Sequence, residues 1–293
     1  MNILRILVYT ALIFSSCSND PVQPGGNGAP PYTQIDSDPV ISQDGRGLVY
    51  FHSNVDNDFT GLVYFDLVNG TYNLLVNAIL STPDISPAGT EIIFSRDQKI
   101  FKVSSSGNNQ SVISLNGNCR YPKYNSDGSR ILYENSDCGS GCGIRIINSD
   151  GSMDSLVIAG GRSPEWTNVN GEFIYLTPAG SGGGDSLYRF SFNTGIKTFL
   201  ALLASPDHKV NQYLNFTNNE VIFCSTSDAG YTYVYKLSLN TGGIFRLADN
   251  QGWSPHFSYA TGEIYYTNRN EGEGRIWIMN IDGSGNRLFD EIY

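Results

Sequence analysis

The residues that could carry acid–base or nucleophilic chemistry are few and widely spaced. His52, His208 and His256 are the three histidines, and no two of them stand four residues apart, the spacing that binds zinc on a helix. No Gly-x-Ser-x-Gly motif supplies a nucleophile elbow, and no acidic run has the full spacing of a calcium loop. We therefore expect no metal and no cofactor, and the residues favour binding over catalysis.

The five cysteines divide by context. Cys138 and Cys142 enclose a Gly-Ser-Gly loop, which in an oxidising compartment favours a disulfide between them. Free thiols and a metal or redox role are the alternatives for this pair. Cys119 precedes an apolar run and Cys224 ends one, so both are expected to be buried as small hydrophobic residues.

The first residues have the pattern of an export signal. Ile6–Phe14 is an apolar run broken only by Thr10, which is too short to span a bilayer and typical of a signal peptide. The following Phe14-Ser15-Ser16-Cys17 resembles a bacterial lipobox. The resemblance implies a signal peptide at 1–16, lipidation of Cys17 and a flexible tether at 17–35. An ordinary secretory signal with an incidental cysteine is the alternative. Ser18, where an Asp would favour inner-membrane retention, points to the outer membrane.

Composition excludes several classes of protein. The chain has 293 residues, a formal net charge of −10 and only 16% charged residues. An acidic chain has no basic surface for phosphates, so nucleic acid is excluded as a partner. The 40% hydrophobic content is enough for a large core, which excludes disorder of the body. The 32 glycines and 36 aromatic residues (18 Tyr, 15 Phe and 3 Trp) favour many short strands joined by tight turns.

One pattern recurs six times after the tether. It consists of a Pro, an apolar residue two positions later, a turn closed by Gly and an apolar strand. Copy five is degenerate, with Gln212 in place of the Pro and Asn218 in place of the Gly. The copies start at Pro39, Pro83, Pro122, Pro164, Gln212 and Pro255.

A second pattern follows each copy of the first, as in Leu62–Gly70 and Ile276–Gly283, where an alternating strand ends in a Gly turn. Each unit then holds four short strands, and a four-stranded unit of roughly 43 residues is the blade of a β-propeller. The predicted fold is therefore all-β, a six-bladed β-propeller of four-stranded antiparallel blades. The predicted blades are about 36–76, 77–115, 116–158, 159–202, 203–249 and 250–293.

Copies three and six, Tyr121–Leu156 and Ser254–Leu288, fit best. Their Pro-x-aromatic, Asp-Gly and Ile-Trp-Ile-Met-Asn-x-Asp-Gly motifs resemble the WD40-like repeat of TolB-type propellers, and the pattern extends from Asp38 to Tyr293. The resemblance implies the fold. TolB itself has an α/β domain before its propeller, where this sequence has a tether, and similar blades occur in peptidases and sugar lyases. The resemblance therefore does not transfer TolB's role.

The repeat position held by Pro in five copies, here called the Pro slot, is followed by two residues that predict the surroundings of the propeller axis. Because strand side chains alternate, the apolar residue two after the slot should pack between blades and the residue one after it should face the central tunnel. The tunnel set contains Asp84, Lys123, Glu165 and His256, with Val40 and Tyr213 in the other copies, and Asp38 lies nearer the mouth. We expect the five charged or imidazole-bearing residues to bind a ligand at the tunnel mouth. The alternative is that they only solvate and cross-link the tunnel.

These observations predict a monomeric, lipid-anchored protein of the cell envelope, attached to the outer membrane and facing the periplasm or the cell surface. Its propeller would bind a protein, peptide or glycan without catalysis. The tunnel-mouth side chains are expected to matter for binding and little for folding. His256, with an ordinary pKa of about 6.5, would make binding depend on pH between about 5.5 and 7.5. A propeller-fold polysaccharide lyase or hydrolase acting at the tunnel mouth is the alternative function.

Overall fold

The computed structural model describes residues 34–54, 59–78, 81–114, 117–137, 139, 141–178, 184–203, 208–217, 219–227, 230–249, 251–268 and 274–289. The predicted signal peptide, Cys17 and nearly all of the predicted tether lie outside these ranges. Within the part that the structure describes, no helix is long and apolar enough to cross a membrane.

The described residues form 24 strands in six sheets. The innermost strands are β1 (Gln34–Ile41), β5 (Ser81–Ile85), β9 (Cys119–Tyr124), β13 (Arg162–Trp166), β17 (His208–Thr217) and β21 (Gly252–Phe257). The second strands are β2 (Gly47–Asn54), β6 (Glu91–Arg96), β10 (Arg130–Asn135), β14 (Glu172–Pro178), β18 (Glu220–Ser227) and β22 (Glu263–Asn268). The third strands are β3 (Phe59–Asp66), β7 (Lys99–Ser104), β11 (Gly143–Asn148), β15 (Asp185–Ser191), β19 (Thr232–Ser238) and β23 (Arg275–Asn280). The outermost strands are β4 (Thr71–Asn77), β8 (Ser111–Val112), β12 (Ser155–Ala159), β16 (Lys197–Leu202), β20 (Ile244–Arg246) and β24 (Arg287–Leu288).

Each sheet contains four consecutive antiparallel strands, so each sheet is one blade. The predicted fold class, an all-β propeller with six four-stranded blades, is confirmed. The turns depend on glycine where the sequence predicted it. Gly283, for example, has a φ of +86°, and a Cβ on it would lie 2.0 Å from the carbonyl oxygen of Leu247. No other residue fits that turn without moving the neighbouring backbone.

The core is divided among six apolar clusters, each formed by two adjacent blades. The cluster that joins blade six to blade one contains Ile41 and Tyr50 from β1 and β2, and Tyr265 and Ile278 from β22 and β23. This cluster closes the ring. In the five copies that contain the Pro, the apolar residue two positions after it packs in these inter-blade clusters, as predicted: Ile41, Ile85, Tyr124 and Phe257 are buried, and Trp166 is half-buried.

The predicted register of copy five is wrong by two residues. In β17, Asn215 pairs with Ile222, whereas in β21 the tunnel residue His256 pairs with Tyr265. These positions are equivalent, because each is followed in the register by a paired apolar residue at the end of the hairpin, Phe216 with Val221 in blade five and Phe257 with Ile264 in blade six. Leu214, not Gln212, therefore occupies the Pro slot, and Asn215, not Tyr213, occupies the tunnel position. The error arose because no Pro marks the slot in this copy. Asn218 lies outside the described residues.

Candidate functional site

The innermost strands share one irregularity near the axis. Their pairing with the second strand shifts register just before the tunnel position, which is the mark of a β-bulge. In five blades the residue before the Pro has a positive φ of 49–55°, a conformation that is uncommon outside glycine. We call these five the bulge residues: Asp38, Thr82, Tyr121, Ser163 and Ser254.

The bulges turn the backbone toward the neighbouring blade. Without them, a regular ladder would direct these N–H groups along the blade's own sheet. Instead, several bulge residues donate a backbone hydrogen bond to a side chain of the preceding blade, and all five are buried. The bonds are Asp38 N to Thr267 Oγ1 (3.1 Å), Tyr121 N to Thr82 Oγ1 (3.3 Å) and Ser163 N to Glu134 Oε2 (3.0 Å). The Ser254 hydroxyl also donates to the Asp38 carboxylate. Asp38 is thus part of the closure between blades six and one.

The tunnel position, two residues after the bulge residue, forms what we call the axial ring: Val40, Asp84, Lys123, Glu165, Asn215 and His256. Three of its members accept a backbone N–H from the next blade. Asp84 Oδ2 accepts from Tyr124 at 2.7 Å, Asn215 Oδ1 from Phe257 at 3.3 Å, and His256 Nδ1 from Ile41 at 3.3 Å. Asp84 and His256 therefore cross-link the ring, and this arrangement leads us to expect that both contribute to folding as well as to the mouth.

Lys123 and Glu165 behave differently from the other polar members of the ring. The Lys123 ammonium lies 3.1 Å from Glu165 Oε2, and both side chains retain about a sixth of their exposure, 18% and 17%. The backbone carbonyl of Lys123 also accepts the indole N–H of Trp166 at 3.0 Å. Blades three and four are therefore joined by an ion pair and by a hydrogen bond from the adjacent core residue.

Burial controls the protonation of the acidic members. Burial raises the pKa of Glu165 to about 7, against the opposing effect of the Lys123 ammonium, and the Asp84 carboxylate raises it further. Burial likewise raises the pKa of Asp84 to about 6, again opposed by Lys123. Burial alone would lower the pKa of Lys123, but Glu165 and Asp84 outweigh it and the pKa of Lys123 is raised. Lys123 is therefore charged wherever the protein is folded near neutrality.

His256 does not titrate in the range predicted for it. Burial lowers its pKa to about 3, and the Lys123 ammonium lowers it further. Because His256 Nδ1 accepts the Ile41 N–H, the imidazole is neutral and carries its proton on Nε2. His256 therefore does not titrate between about 5.5 and 7.5; the ring groups whose pKa values lie in that range are Asp84, at about 6, and Glu165, at about 7.

The axis encloses a small cavity of about 30 Å³, which has room for one or two water molecules. Asp38, Lys123 and His256 line this cavity, and the end lined by the bulge residues is what we call the axial mouth. A sugar ring or a peptide does not fit into a space of this size. A partner on the axis would therefore contact the mouth and not pass through the cavity lined by the described residues.

The structure also reveals a buried pair that sequence reasoning missed. His52 Nδ1 lies 2.6 Å from Asp36 Oδ1, and Arg275 Nε lies 3.8 Å from the other carboxylate oxygen. Asp36 and His52 pair across β1 and β2, so they share a face. The only sequence signal was strand pairing, which cannot be assigned before the hairpin register is known.

The cysteines are partly accounted for. Cys119 and Cys224 are buried, as expected. Cys142 is in a disulfide bond, while Cys138 lies outside the described residues, so the pairing between them stays a prediction. Among the residues that the structure describes, no group of three or more His, Cys, Asp and Glu side chains is arranged to hold a metal ion.

Solved structures with this arrangement of blades include a TolB from Acinetobacter baumannii, at 16% identity and a TM-score of 0.62, covering 96% of this chain and 66% of that one. A protein assigned as TolB in Agrobacterium tumefaciens matches at 14% identity and a TM-score of 0.64, covering 77% of this chain and 86% of that one. The fold is that of a TolB-type propeller. The sequence matches no protein-family model and no curated protein.

The TolB-type propeller is shared by proteins of different activity. An oligogalacturonate lyase from Vibrio parahaemolyticus matches at 14% identity and a TM-score of 0.58, covering 84% of this chain and 78% of that one. Similarity at this level of identity shows the fold alone, so the function must be argued from the side chains of this chain.

Proposed function

We propose that the protein is a non-catalytic lipoprotein of the cell envelope whose TolB-type propeller binds a polar protein, peptide or glycan at the axial mouth. The observation that carries this proposal is the composition of the axial ring. Lys123 and His256 line the cavity, and Glu165 pairs with Lys123; all three remain partly exposed and together offer a cationic donor, an anionic acceptor and an imidazole N–H. Such a set suits a ligand with hydrogen-bonding groups and is poorly suited to an apolar one.

The five predicted site residues do not contribute equally. Asp38 and Asp84 are 5% and 8% exposed and are engaged in bonds between blades. Asp38 and Asp84 connect adjacent blades around the mouth, whereas Lys123, Glu165 and His256 are the groups that a partner would contact. The small cavity supports a partner that docks across the mouth, because the space lined by the described residues, about 30 Å³, is too small to admit it.

The binding part of the proposal is tested by neutralising the ion pair at the mouth. The double variant Lys123→Gln, Glu165→Gln should lose at least ten-fold of the affinity for the partner captured from the native envelope. A matched control is Lys236→Gln, Glu220→Gln, which removes a similar pair (3.2 Å) between β19 and β18 of blade five. If both double variants capture the partner equally, the axial mouth is not the binding surface.

The envelope location rests on the lipobox. Replacing Cys17 with Ala should move the protein from the membrane fraction to the soluble fraction, and mass spectrometry of the wild type should show a lipid-modified N-terminal cysteine. A Cys17→Ala protein that stays with membranes after a carbonate wash contradicts lipid anchoring.

The enzyme alternative has its own outcome in these experiments. Turnover of an envelope glycan by the wild type, abolished by changing His256 or Glu165 alone, would replace binding by a lyase or hydrolase activity at the same mouth. Capture without turnover supports the binding function.

A further inference from the structure

Two carboxylates and one ammonium lie together on three adjacent innermost strands. We call Asp84, Lys123 and Glu165 the axial cluster. Lys123 is 3.1 Å from Glu165, Asp84 is fixed by the Tyr124 N–H at 2.7 Å, and all three side chains are at most 18% exposed. With every group ionised, the cluster carries an uncompensated negative charge in a poorly solvated place.

Among the side chains that the structure describes, the groups packed around the axial cluster do not supply the missing positive charge. From β21, His256 faces Lys123 as a neutral imidazole, because its Nδ1 accepts a backbone N–H. In the turn after β21, burial raises the pKa of the Tyr259 hydroxyl to about 12, and the nearby Glu165 carboxylate contributes to the increase. From β9, Tyr124 lies near Asp84 and Glu91 and stays protonated. The other charged residue of the cavity wall, Asp38 of β1, is itself a carboxylate, and Asn215 of β17 is uncharged.

We propose that the axial cluster is a built-in proton switch, in which one proton taken up by Glu165 at mildly acidic pH removes the excess charge and stabilises the folded ring. This inference concerns the stability of the ring and does not depend on the proposed binding function. The proton comes from solvent through the exposed sixth of the Glu165 side chain. Lys123 keeps its charge in both states and remains as a hydrogen-bond donor to whichever carboxylate is ionised.

The sign of the effect follows from linkage. The pKa of Glu165 is raised to about 7 in the folded protein, so between its unfolded value and about 7 the folded state binds a proton that the unfolded chain does not. The stabilisation from Glu165 is therefore complete at acidic pH and is lost as the pH rises through about 7. His256, whose folded pKa is lowered, contributes in the opposite direction below its unfolded value. Asp84, whose pKa is raised to about 6 in the folded protein, contributes in the same direction as Glu165. The whole profile therefore mixes the three, and only a difference between variants isolates Glu165.

The test is the difference in unfolding free energy between wild type and Glu165→Gln, measured by denaturant titration of the full-length protein in mild detergent from pH 5 to pH 8.5. Glutamine keeps the shape but cannot ionise. We expect the wild type to lose stability relative to Glu165→Gln as the pH rises, by at least ten-fold in the folding equilibrium constant. Glu220→Gln, the matched ion pair of blade five, should show no such change over this range. Equal profiles for the wild type and Glu165→Gln, or the same change in Glu220→Gln, would overturn the proposal.

A second measurement uses the wild type alone, in case Glu165→Gln does not fold. The side-chain carboxyl ¹³C signals of glutamate are followed by NMR through a pH titration. We expect one glutamate to titrate near pH 7, well above the rest, and to shift to lower pH in Asp84→Asn, because loss of the neighbouring charge makes ionisation of Glu165 easier. Asparagine retains an oxygen to accept the Tyr124 N–H. If every glutamate titrates below pH 5.5, the axial cluster is not a proton switch.

Discussion

The axial ring has a neutral half in blades five, six and one and a charged half in blades three and four, and the two halves contact their neighbouring blades through different side-chain chemistry. In blades five and six, Asn215 and His256 are neutral acceptors that hold the backbone N–H of the next blade, and Val40 of blade one is apolar. In blades three and four, Lys123 and Glu165 form an ion pair across the inter-blade boundary. Asp84 of blade two combines the two kinds of interaction, because it accepts the Tyr124 N–H and also interacts electrostatically with Lys123.

The difference shows which requirement the fold imposes at this position. The fold accommodates either a neutral hydrogen-bond acceptor or an ion pair at the axial ring. In the neutral half, the polar ring side chains Asn215 and His256 contribute through hydrogen bonds to the next blade. The charged half carries more acid than base, so its contribution depends on protonation, and it is the half in which a change of charge should have the larger effect.

The largest expected effect tests packing, where the two halves should behave alike. Phe257→Ala, in the neutral half, truncates a side chain that is 7% exposed and should destabilise the protein by about 4 kcal/mol. Trp166→Ala, at the same position of blade four, should cost about 3 kcal/mol, because the indole is half-buried but also donates to the Lys123 carbonyl.

Both variants should lower a single melting transition, since a closed ring loses both interfaces of a blade together. Calorimetry checks the prediction. A change below about 1 kcal/mol for either variant would contradict the assignment of this position to the inter-blade core.

The next largest effect separates the halves. Lys123→Ala leaves Asp84 and Glu165 without their counter-charge and should destabilise the protein by about 3 kcal/mol at pH 8, as removal of one partner of a buried pair does. The loss should shrink at pH 5.5, because both carboxyl groups can then take up protons. Denaturant titration at the two pH values measures it. A loss independent of pH would mean that Lys123 contributes through packing of its methylene chain and not through charge.

The smallest expected effect is that of His256→Asn, whose pH dependence should be opposite to that of Glu165→Gln. His256→Asn places the blade-five side chain in blade six and should change stability by about 1 kcal/mol at pH 7.5, since an acceptor for the Ile41 N–H is retained. The pKa of His256 is lowered to about 3 in the folded protein, so the wild type loses stability relative to His256→Asn as the pH falls below the ordinary histidine pKa of about 6.5. Paired melting curves at pH 7.5 and pH 5 test this. If the stability of the wild type relative to His256→Asn changed with pH in the same direction as its stability relative to Glu165→Gln, the proposed difference between the neutral and charged halves would be contradicted.

Much of the fold could be predicted because its signals are local. Gly283 closes a turn that only glycine fits, and the residue two after each Pro is apolar because it must pack between blades. Copy five shows the limit of such signals. Without a Pro, the alternation of β17 fits two registers that differ by two residues and direct the same alternate side chains toward the axis. Only the pairing of β17 with β18 distinguishes these two registers.

The candidate site was harder to predict than the fold. That Asp84, Lys123, Glu165 and His256 approach one axis follows from the repeat. What they do there does not, because the partner of each is supplied by another blade: His256 meets the Ile41 N–H from 215 residues away in the sequence. The Asp36–His52 pair was invisible for a similar reason, since no motif marks it.

The sequence by itself determined the number of blades, the four strands of each and the face that every strand turns to its neighbours, because turn glycines and alternating apolar residues act over a few residues. The tertiary structure alone decided which ring side chains cross-link blades and which remain exposed at the mouth. It also decided the charge states of His256 and Glu165. Those outcomes depend on ring closure, which brings distant groups together, and on burial, which shifts the pKa values of His256 and Glu165 in opposite directions to about 3 and about 7.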